Sequence, residues 1–522
     1  MTPGSAAKAT RPRLIQALLD PTVYPHPVNA VELVETHISW VFLAGERVYK
    51  VKKPVDLGFL DFTTLGRRRR FCEEEVRLNR RLAADTYLGV VELRRGPSGI
   101  RLGGPGRTVE VAVEMRRLPA DRMLDRLVAD GRAQPGLMRD LAGVVARFHA
   151  EAETGGSIDE MGGADVLRRN WDENFDQTAN VAADVWPPDE RRRLRAYADG
   201  FLARADAALA ARVRDHRIRD CHGDLQAQHV CCVDPVQIFD CIEFNPRFRF
   251  GDTAGEIAFL AMDLERLGAP ALATEFINGY LDETGDYEAV RLLDFYRAYR
   301  AFVRAKVMAF QIAERPGLVS EARALFALAG RFARPRAGGR LILITGVMGS
   351  GKSTVARRVA AALGAVVIRT DVVRKRLGGI GLHERAPAAF GEGLYTADMS
   401  RRTYEEALRL AAALARDGWP IVLDGSFSHA AERETAREAA RALGVSHATL
   451  WCDAPDHVIA GRLARRSGDV SDGRVELLAE HRAGYEAPEG EPGVLEVSTA
   501  DDGVDVERIL RGLERLPPAS GG

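Results

Sequence analysis

The stretch from Leu341 to Ala356, LILITGVMGSGKSTVA, constrains this chain more than any other, because an apolar run, a glycine turn and a helix start follow one another without a gap. Gly346-Val-Met-Gly-Ser-Gly351-Lys352-Ser353 fills every position of the pattern G-x-x-x-x-G-K-S/T, and Leu341 to Ile344 before it reads as a buried parallel strand. Gly346, Gly349 and Gly351 let backbone N–H groups close around phosphates, with Ser350 and Thr354 completing the lining. Lys352 reaches the outer phosphates, Ser353 offers a hydroxyl to Mg²⁺, and the helix that follows points its positive end at the ligand. The pattern therefore implies ATP and Mg²⁺ as cofactors. An ordinary glycine-rich turn has no need of the strand before it and the helix after it.

A chain of 522 residues is too long for one usual domain. Its hydrophobic content of 46%, charged content of 28% and formal net charge of -1 describe a globular protein without the basic excess that nucleic acid selects. No segment approaches the roughly 18 apolar residues of a membrane span, and the first twenty or so residues lack a signal-peptide core, so the reading is cytoplasmic with neither membrane nor nucleic acid as partner. Six cysteines in so long a chain are too few for a disulfide framework. Lysine is rare, present only at Lys8, Lys50, Lys52, Lys53, Lys306, Lys352 and Lys375, so the cluster from Lys50 to Lys53 stands out.

That cluster lies in a candidate hairpin. His37 to Leu43 and Arg47 to Lys53 read as two strands around the Ala44-Gly45-Glu46 turn, which puts Lys50 and Lys52 on one face. Arg67 to Leu82 has helical apolar spacing and carries Glu73, Glu74 and Glu75. Two more strand candidates follow, Tyr87 to Leu93 and Val109 to Met115, and Arg116-Arg117-Leu118-Pro119 then breaks the pattern as a hinge does. From Asp121 to about Asp215 the periodicity is helical. It leads to Cys221-His222-Gly223-Asp224, and then to a short apolar strand around Val236 to Asp240 with Glu243 just beyond. A lysine strand, an acidic helix, an aspartate on a loop and a second aspartate after a strand is the order of parts in protein kinases.

Taken together, Lys50 to Lys53, the Glu73 to Glu75 helix, His222-Gly223-Asp224 and Asp240 resemble the aminoglycoside phosphotransferase family of kinase-like folds, over about residues 30 to 330. The resemblance implies that Asp224 is the catalytic base, Asp240 a metal ligand, Lys50 or Lys52 the phosphate lysine and Glu75 its partner. The asparagine that the family places five residues after the aspartate is His229 here, which makes His229 the candidate second metal contact. Glu243 is close enough to Asp240 to compete for the ligand role. Cys221, His222, His229, Cys231, Cys232 and Cys241 also invite a zinc reading, but no C-x-x-C pair occurs and vicinal cysteines in a strand point to opposite faces.

Helical patterning fills Asp252 to Arg334, and the proline, glycine and charge of Arg331 to Gly339 mark a domain boundary before the phosphate-loop strand. Beyond that strand, Ala365 to Asp371, Trp419 to Asp424 and Ala448 to Asp453 read as three further strands, each ending in an acid. Strands alternating with helices predict a parallel sheet with its ligand at the strand carboxyl ends. Asp424 is placed for the Mg²⁺ water shell and Asp371 to accept a proton from a substrate hydroxyl. Arg462 and Arg466 lie in an arginine-rich segment that can close on a transferring phosphoryl group. This half resembles the P-loop kinases of the gluconate kinase, chloramphenicol phosphotransferase and zeta-toxin group, and the order of the halves resembles a fused bacterial protein built from these two families.

The expected fold is therefore α/β and α+β in two domains. Residues 1–335 form a bilobal kinase-like domain, with a small lobe at about 30–118 and a large lobe at about 119–335, and 338–522 form a P-loop domain. The expected function is ATP-dependent phosphoryl transfer to small hydroxylated molecules at two sites. Two rivals are an ATP-binding half that only regulates the other, and a toxin-like kinase of a nucleotide-sugar restrained by the N-terminal half.

Overall fold

Alternating apolar and polar residues from Ser39 to Lys52 build a hairpin whose inward side chains, Phe42, Ala44, Tyr49 and Val51, are almost completely buried. In the computed structural model, which describes residues 13–97, 99–336, 338–384, 393–465, 475–500 and 503–516, this hairpin is the centre of a six-stranded antiparallel sheet. The strand order is Val31–Glu35, Ser39–Ala44, Arg47–Lys52, Arg107–Arg116, Tyr87–Gly96 and Gly99–Leu102. The first and last of these are absent from the sequence reading, because one is largely exposed and the other is only four residues long.

The helix Leu65–Ala83 packs on one face of the sheet, where Cys72, Val76 and Ala83 meet Val48, Tyr87, Val111 and Val113. Thr64 caps its start, accepting the Arg67 N–H at 3.2 Å. This sheet and helix belong to one of two compact units, made of residues 1–133, 148–167 and 205–260. Its remaining part is a set of short ladders that aim loops. Ile218–Asp220 pairs antiparallel with Phe250–Asp252, and Val230–Cys231 with Gln237–Ile238.

One carboxylate fixes the loop between those ladders. Glu256, in the helix Thr253–Arg266, is buried and accepts the backbone N–H of Gly223 at 2.7 Å, that of His222 at 2.9 Å and the His149 Nε2–H at 3.0 Å. His222 in turn donates through Nε2 to the Phe239 carbonyl at 3.1 Å. Gly223 has a φ of +85°, and a Cβ there would come within 2.8 Å of the Phe248 carbonyl oxygen, so only glycine fits.

The second unit comprises residues 134–147, 168–204 and 261–522. Its helical part closes on a ring cluster in which Trp171, Phe175, Trp186, Phe302 and Phe326 stack and tilt against one another. Its sheet has five parallel strands in the order Val366–Arg369, Pro420–Asp424, Arg340–Thr345, Ser446–Asp453, Val494–Ser498, and the last of them was not foreseen. Ile342, Ile344, Val359, Val422, Leu450 and Val497 share its core. The edge strand is completed by a side chain: Asn278 donates to the Ala365 carbonyl at 3.0 Å and accepts the Val367 N–H at 2.8 Å. The helix Pro270–Thr284, which carries Asn278, thus belongs with the sheet rather than apart from it.

Burial pushes the His222 imidazole down from 6.5 to about 4, against the pull of Glu256. Burial opposes the ionisation of Glu256, but the bonds from His149 and the His222 N–H outweigh it and hold the carboxyl at about 2 instead of 4.5. Both folded values lie below the unfolded ones, so the unfolded chain binds more protons on acidification. Stability is complete above pH 6.5, erodes between 6.5 and 4 through His222, and erodes further between 4.5 and 2 through Glu256. The expected outcome in denaturant titrations is a midpoint that falls from pH 7 to pH 4, with a shallower fall over pH 6.5 to 4 for His222→Gln. An equally steep fall in that variant removes His222 from the account.

Candidate functional site

In the first unit, the strand Arg47–Lys52 presents Lys50 and Lys52 to the helix Leu65–Ala83, and both lysines reach Glu75. Lys52 Nζ lies 2.6 Å from Glu75 Oε2 and also meets Glu243. Lys50 Nζ lies 2.8 Å from Glu75 Oε1 and 2.6 Å from Asp240 Oδ1. The two lysines therefore divide the acids between them. The Lys52 side chain is 0% exposed and the Lys50 side chain 12%, while Asp240 is 42% exposed, so Lys50 lies on the open side. Burial alone would raise the Glu75 carboxyl, but Lys50 and then Lys52 hold it below its ordinary value. Burial pushes the Glu243 carboxyl up against the pull of Lys52. Burial likewise opposes the charge on Asp240, and Lys50 followed by His229 pulls its pKa well down.

Asp240 has a φ of +65°, a conformation uncommon for residues with a side chain. Two groups hold it there: the Tyr87 hydroxyl accepts the Asp240 N–H at 3.2 Å, and the Asn79 side chain accepts the Cys241 N–H at 2.9 Å. His229 stands between the two aspartates. Its Nδ1 is 2.9 Å from the Asp224 carbonyl oxygen and its Nε2 3.6 Å from Asp240 Oδ2. The Gln228 amide, 3.2 Å from Nε2, is a second neighbour. The Asp224 carboxylate is partly exposed and accepts from the Gln226 amide. Asp224, His229, Asp240, Lys50 and Glu75 are thus brought together, as are the Lys52 and Glu243 pair behind them.

Sequence reasoning missed Glu256, Tyr87 and Asn79. For Glu256 a signal existed: it is a single acid at the start of the otherwise apolar run Ile257 to Met262. Among the described residues His149, Cys221 and Glu256 bring three ligand atoms within 4.8 Å of one another, and Glu256 is also bonded to the loop backbone.

In the second unit the phosphate loop leaves the strand Arg340–Thr345 and enters the helix Lys352–Leu363. A Cβ on Gly346 would meet the Cys452 carbonyl oxygen at 2.4 Å, and one on Gly351, at the helix start with φ +84°, would meet Thr499 at 3.2 Å. The loop is therefore a cradle that side chains at these positions would fill. Lys352 Nζ donates to the Gly346 and Val347 carbonyls, both at 2.9 Å, and the buried Ser350 hydroxyl has no hydrogen-bond partner among the described residues. A basic tip folded over the cradle and an orphaned hydroxyl inside it are what a bound triphosphate would satisfy. Ser353 and Thr354 lie in the first turn of the helix, Ser353 half-buried and Thr354 exposed.

Asp424 ends the strand beside the phosphate-loop strand and is buried, with Arg369 Nε at 3.6 Å. One expectation needs correcting. Asp371 does not end a strand: the strand stops at Arg369, and Asp371 sits in the first turn of the helix Thr370–Leu377, whose Thr370 hydroxyl donates to the Asp424 carbonyl at 3.2 Å. The acid remains at the carboxyl end of the sheet, and an acid in a first helical turn is favoured by the helix dipole. Arg374 is turned inward, donating to the Leu394 carbonyl and the Ser400 hydroxyl, both at 3.0 Å. Arg462 bonds the Thr499 carbonyl at 2.5 Å, and Thr499 in turn donates to the Ser350 carbonyl at 2.7 Å, so Arg462 braces the wall of the cradle. Arg466 lies outside the described residues.

A family model described as "AAA domain" matches residues 341–488. The uncharacterized protein Rv2004c of Mycobacterium tuberculosis is 37% identical over 465 residues, which span 88% of this chain and 92% of that protein. A shikimate kinase of Bradyrhizobium diazoefficiens is 33% identical over 131 residues, 25% of this chain and 56% of the enzyme. Among solved structures, aminoglycoside 2'-phosphotransferase-IIIa in its GDP complex is similar at 14% identity with a TM-score of 0.40, over 61% of this chain and 98% of that one. The chain belongs to one family with mycobacterial Rv2004c, and its C-terminal segment matches the AAA-domain model.

Proposed function

We propose that the chain is an ATP-dependent phosphotransferase with two nucleotide sites, one at the kinase-like carboxylates and one at the phosphate loop, each acting on a hydroxyl of a small molecule. The observation that carries the reading is that each site sets a lysine and an acid suited to a phosphate and its metal in one place. Lys50 faces Asp240 in one, and Lys352 lies in a loop whose neighbouring strand ends at Asp424 in the other. The likeness of the phosphate-loop part to a shikimate kinase supports a small hydroxylated acceptor there. We place the boundary between the two functional segments at residues 335–338, where the sequence changes character.

ATP with Mg²⁺, when bound, supplies the transferable phosphoryl group. In the kinase-like site the Asp224 carboxylate would take the acceptor hydroxyl's proton, while Asp240, with His229 beside it, would hold the metal. Lys50 would bind phosphate oxygens, and Lys52, sealed from solvent, keeps Glu75 and Glu243 in place. At the phosphate loop, Lys352 would bind phosphate oxygens, and Ser353 and Asp424 would hold the metal. Asp371 receives the proton of the acceptor.

Lys352→Ala is expected to abolish nucleotide binding at the phosphate loop in the full chain while leaving the thermal unfolding profile unchanged, since the lysine acts on phosphates and not in a core. Undiminished binding of a fluorescent ATP analogue at this loop, read with the kinase-like site blocked by Asp240→Asn, would overturn the assignment. Asp224→Asn and Asp371→Asn are each expected to cost about 10²-fold or more in turnover at their own site with little change in ATP affinity. If either leaves all phosphoryl transfer intact, that site is regulatory. His229→Asn is expected to move the metal preference of the kinase-like site from Mn²⁺ towards Mg²⁺, because imidazole nitrogen suits transition metals and amide oxygen suits Mg²⁺. An unchanged metal profile would reduce His229 to a spacer between Asp224 and Asp240.

A further inference from the structure

The acid at the end of the phosphate-loop site's neighbouring strand shares its cation with an acid far away in sequence. Arg369 is the register partner of Asp424, and its Nε lies 3.6 Å from Asp424 Oδ2. The same guanidinium reaches Asp282 Oδ2 through Nη1 at 3.3 Å. Asp282 lies in the helix Pro270–Thr284, upstream of the phosphate-loop segment, and that helix is fastened to the sheet by the Asn278 amide on the edge strand. Arg376 fastens its other end, donating to the Asp282 carbonyl at 2.8 Å and the Thr284 carbonyl at 2.9 Å. The guanidinium is thus held between two carboxylates by a frame that fixes both.

The chemistry of Asp424 depends on where that guanidinium settles. A carboxylate neutralised by arginine is a poorer ligand for Mg²⁺ or its water shell than one left free. Asp282 is the competing partner, and its second oxygen, Oδ1, has no hydrogen-bond partner among the described residues, so its charge is committed to Arg369. Burial pushes the Asp282 carboxyl up and Arg369 pulls it back. Arg357 also contributes positive charge here, and burial lowers its own pKa.

We propose that Asp282 is a positioning residue for the phosphate-loop site: it draws Arg369 off Asp424 and leaves that carboxylate available to the Mg²⁺ of a bound nucleotide. The proposal rests on the assignment of Asp424 to the metal. It makes a helix from before the phosphate-loop segment part of the working site.

The test is a Mg²⁺ titration of ATP-analogue binding to the full chain, in an Asp240→Asn background so that only the phosphate loop responds to the metal. Asp282→Asn keeps the shape and removes the charge, so the pull of Asp282 on Arg369 against Asp424 is lost. The expected result is a rise of about fivefold or more in the Mg²⁺ needed for half-maximal binding, with metal-free binding unchanged. Deleting the competing cation as well, in Asp282→Asn/Arg369→Gln, is expected to return the Mg²⁺ requirement to the parent value. Melting temperatures of the same variants separate a folding effect, because removing the stranded guanidinium can restore stability too; a Mg²⁺ requirement that only follows stability overturns the proposal. Arg369→Gln by itself gives an independent reading, with a Mg²⁺ requirement at or below the parent's. A flat response to Asp282→Asn, a double variant that stays impaired, or a raised requirement in Arg369→Gln overturns the proposal. Asp424→Asn separates the two levels: if it leaves the Mg²⁺ requirement unchanged, the metal assignment fails and the proposal with it. If it raises the requirement while Asp282→Asn does not, the proposal fails alone.

Discussion

Everything in the kinase-like site depends on the burial of Glu75. A carboxylate with no exposed surface cannot stay ionised without cations, and the structure supplies two, Lys50 and Lys52, from alternate positions of one strand. Meeting that demand fixes the geometry of three segments at once. The strand must run beside the helix, the lysines must point the same way, and the segment carrying Asp240 and Glu243 must come close enough to share the same cations. Removing one member of such a cluster strands a buried charge and costs on the order of 3–5 kcal/mol, which ties the placement of these side chains to the stability of the sheet and helix that carry them.

The same physics recurs at the phosphate loop with other residues. Arg369 lies between Asp282 and Asp424 much as Lys50 lies between Glu75 and Asp240. In each case one cation faces one buried structural acid and one acid suited to a metal. In each, the shared cation ties two acids from separate segments to one place. Arginine and lysine are not equivalent in this role. The fork of Arg369 can hold two carboxylates through different nitrogens and stay in place, whereas the single ammonium of Lys50 is free to turn to phosphate oxygens.

The parts legible in the sequence were those set by local chemistry. The phosphate loop follows from glycines and a lysine at fixed spacing, and the lysine hairpin from alternation around a turn. Lys50, Glu75, Asp224, His229 and Asp240 were picked out by motif order, and they converge because that order encodes a fold. What was not legible depends on contacts across long stretches of chain. The lone acid before an apolar run marks Glu256 as a buried carboxylate but not its partner, the His222-Gly223 backbone, and nothing near Asp282 or Asn278 announces an edge strand nearly ninety residues later. The strand Val366–Arg369 was drawn too long because Thr370 and Asp371 are polar residues as fit to open a helix as to close a strand, and periodicity cannot separate the two over so short a run.

Why the small lobe uses two lysines where one would neutralise Glu75 follows from Glu243. Its side chain is as deeply buried as Glu75, so it brings a further acid into a space already holding one, and Lys52 is committed to both. That commitment releases Lys50 from the structural task. With every group ionised, Lys50 and Lys52 face Glu75, Asp240 and Glu243, and the cluster carries one net negative charge, concentrated on its open side at Asp240. A divalent cation added at Asp240 would reverse the sign of the cluster to one net positive charge. Had Lys52 been absent, Lys50 alone would have faced both buried acids. The second lysine is therefore what leaves Lys50 on the open side of the cluster, beside Asp240.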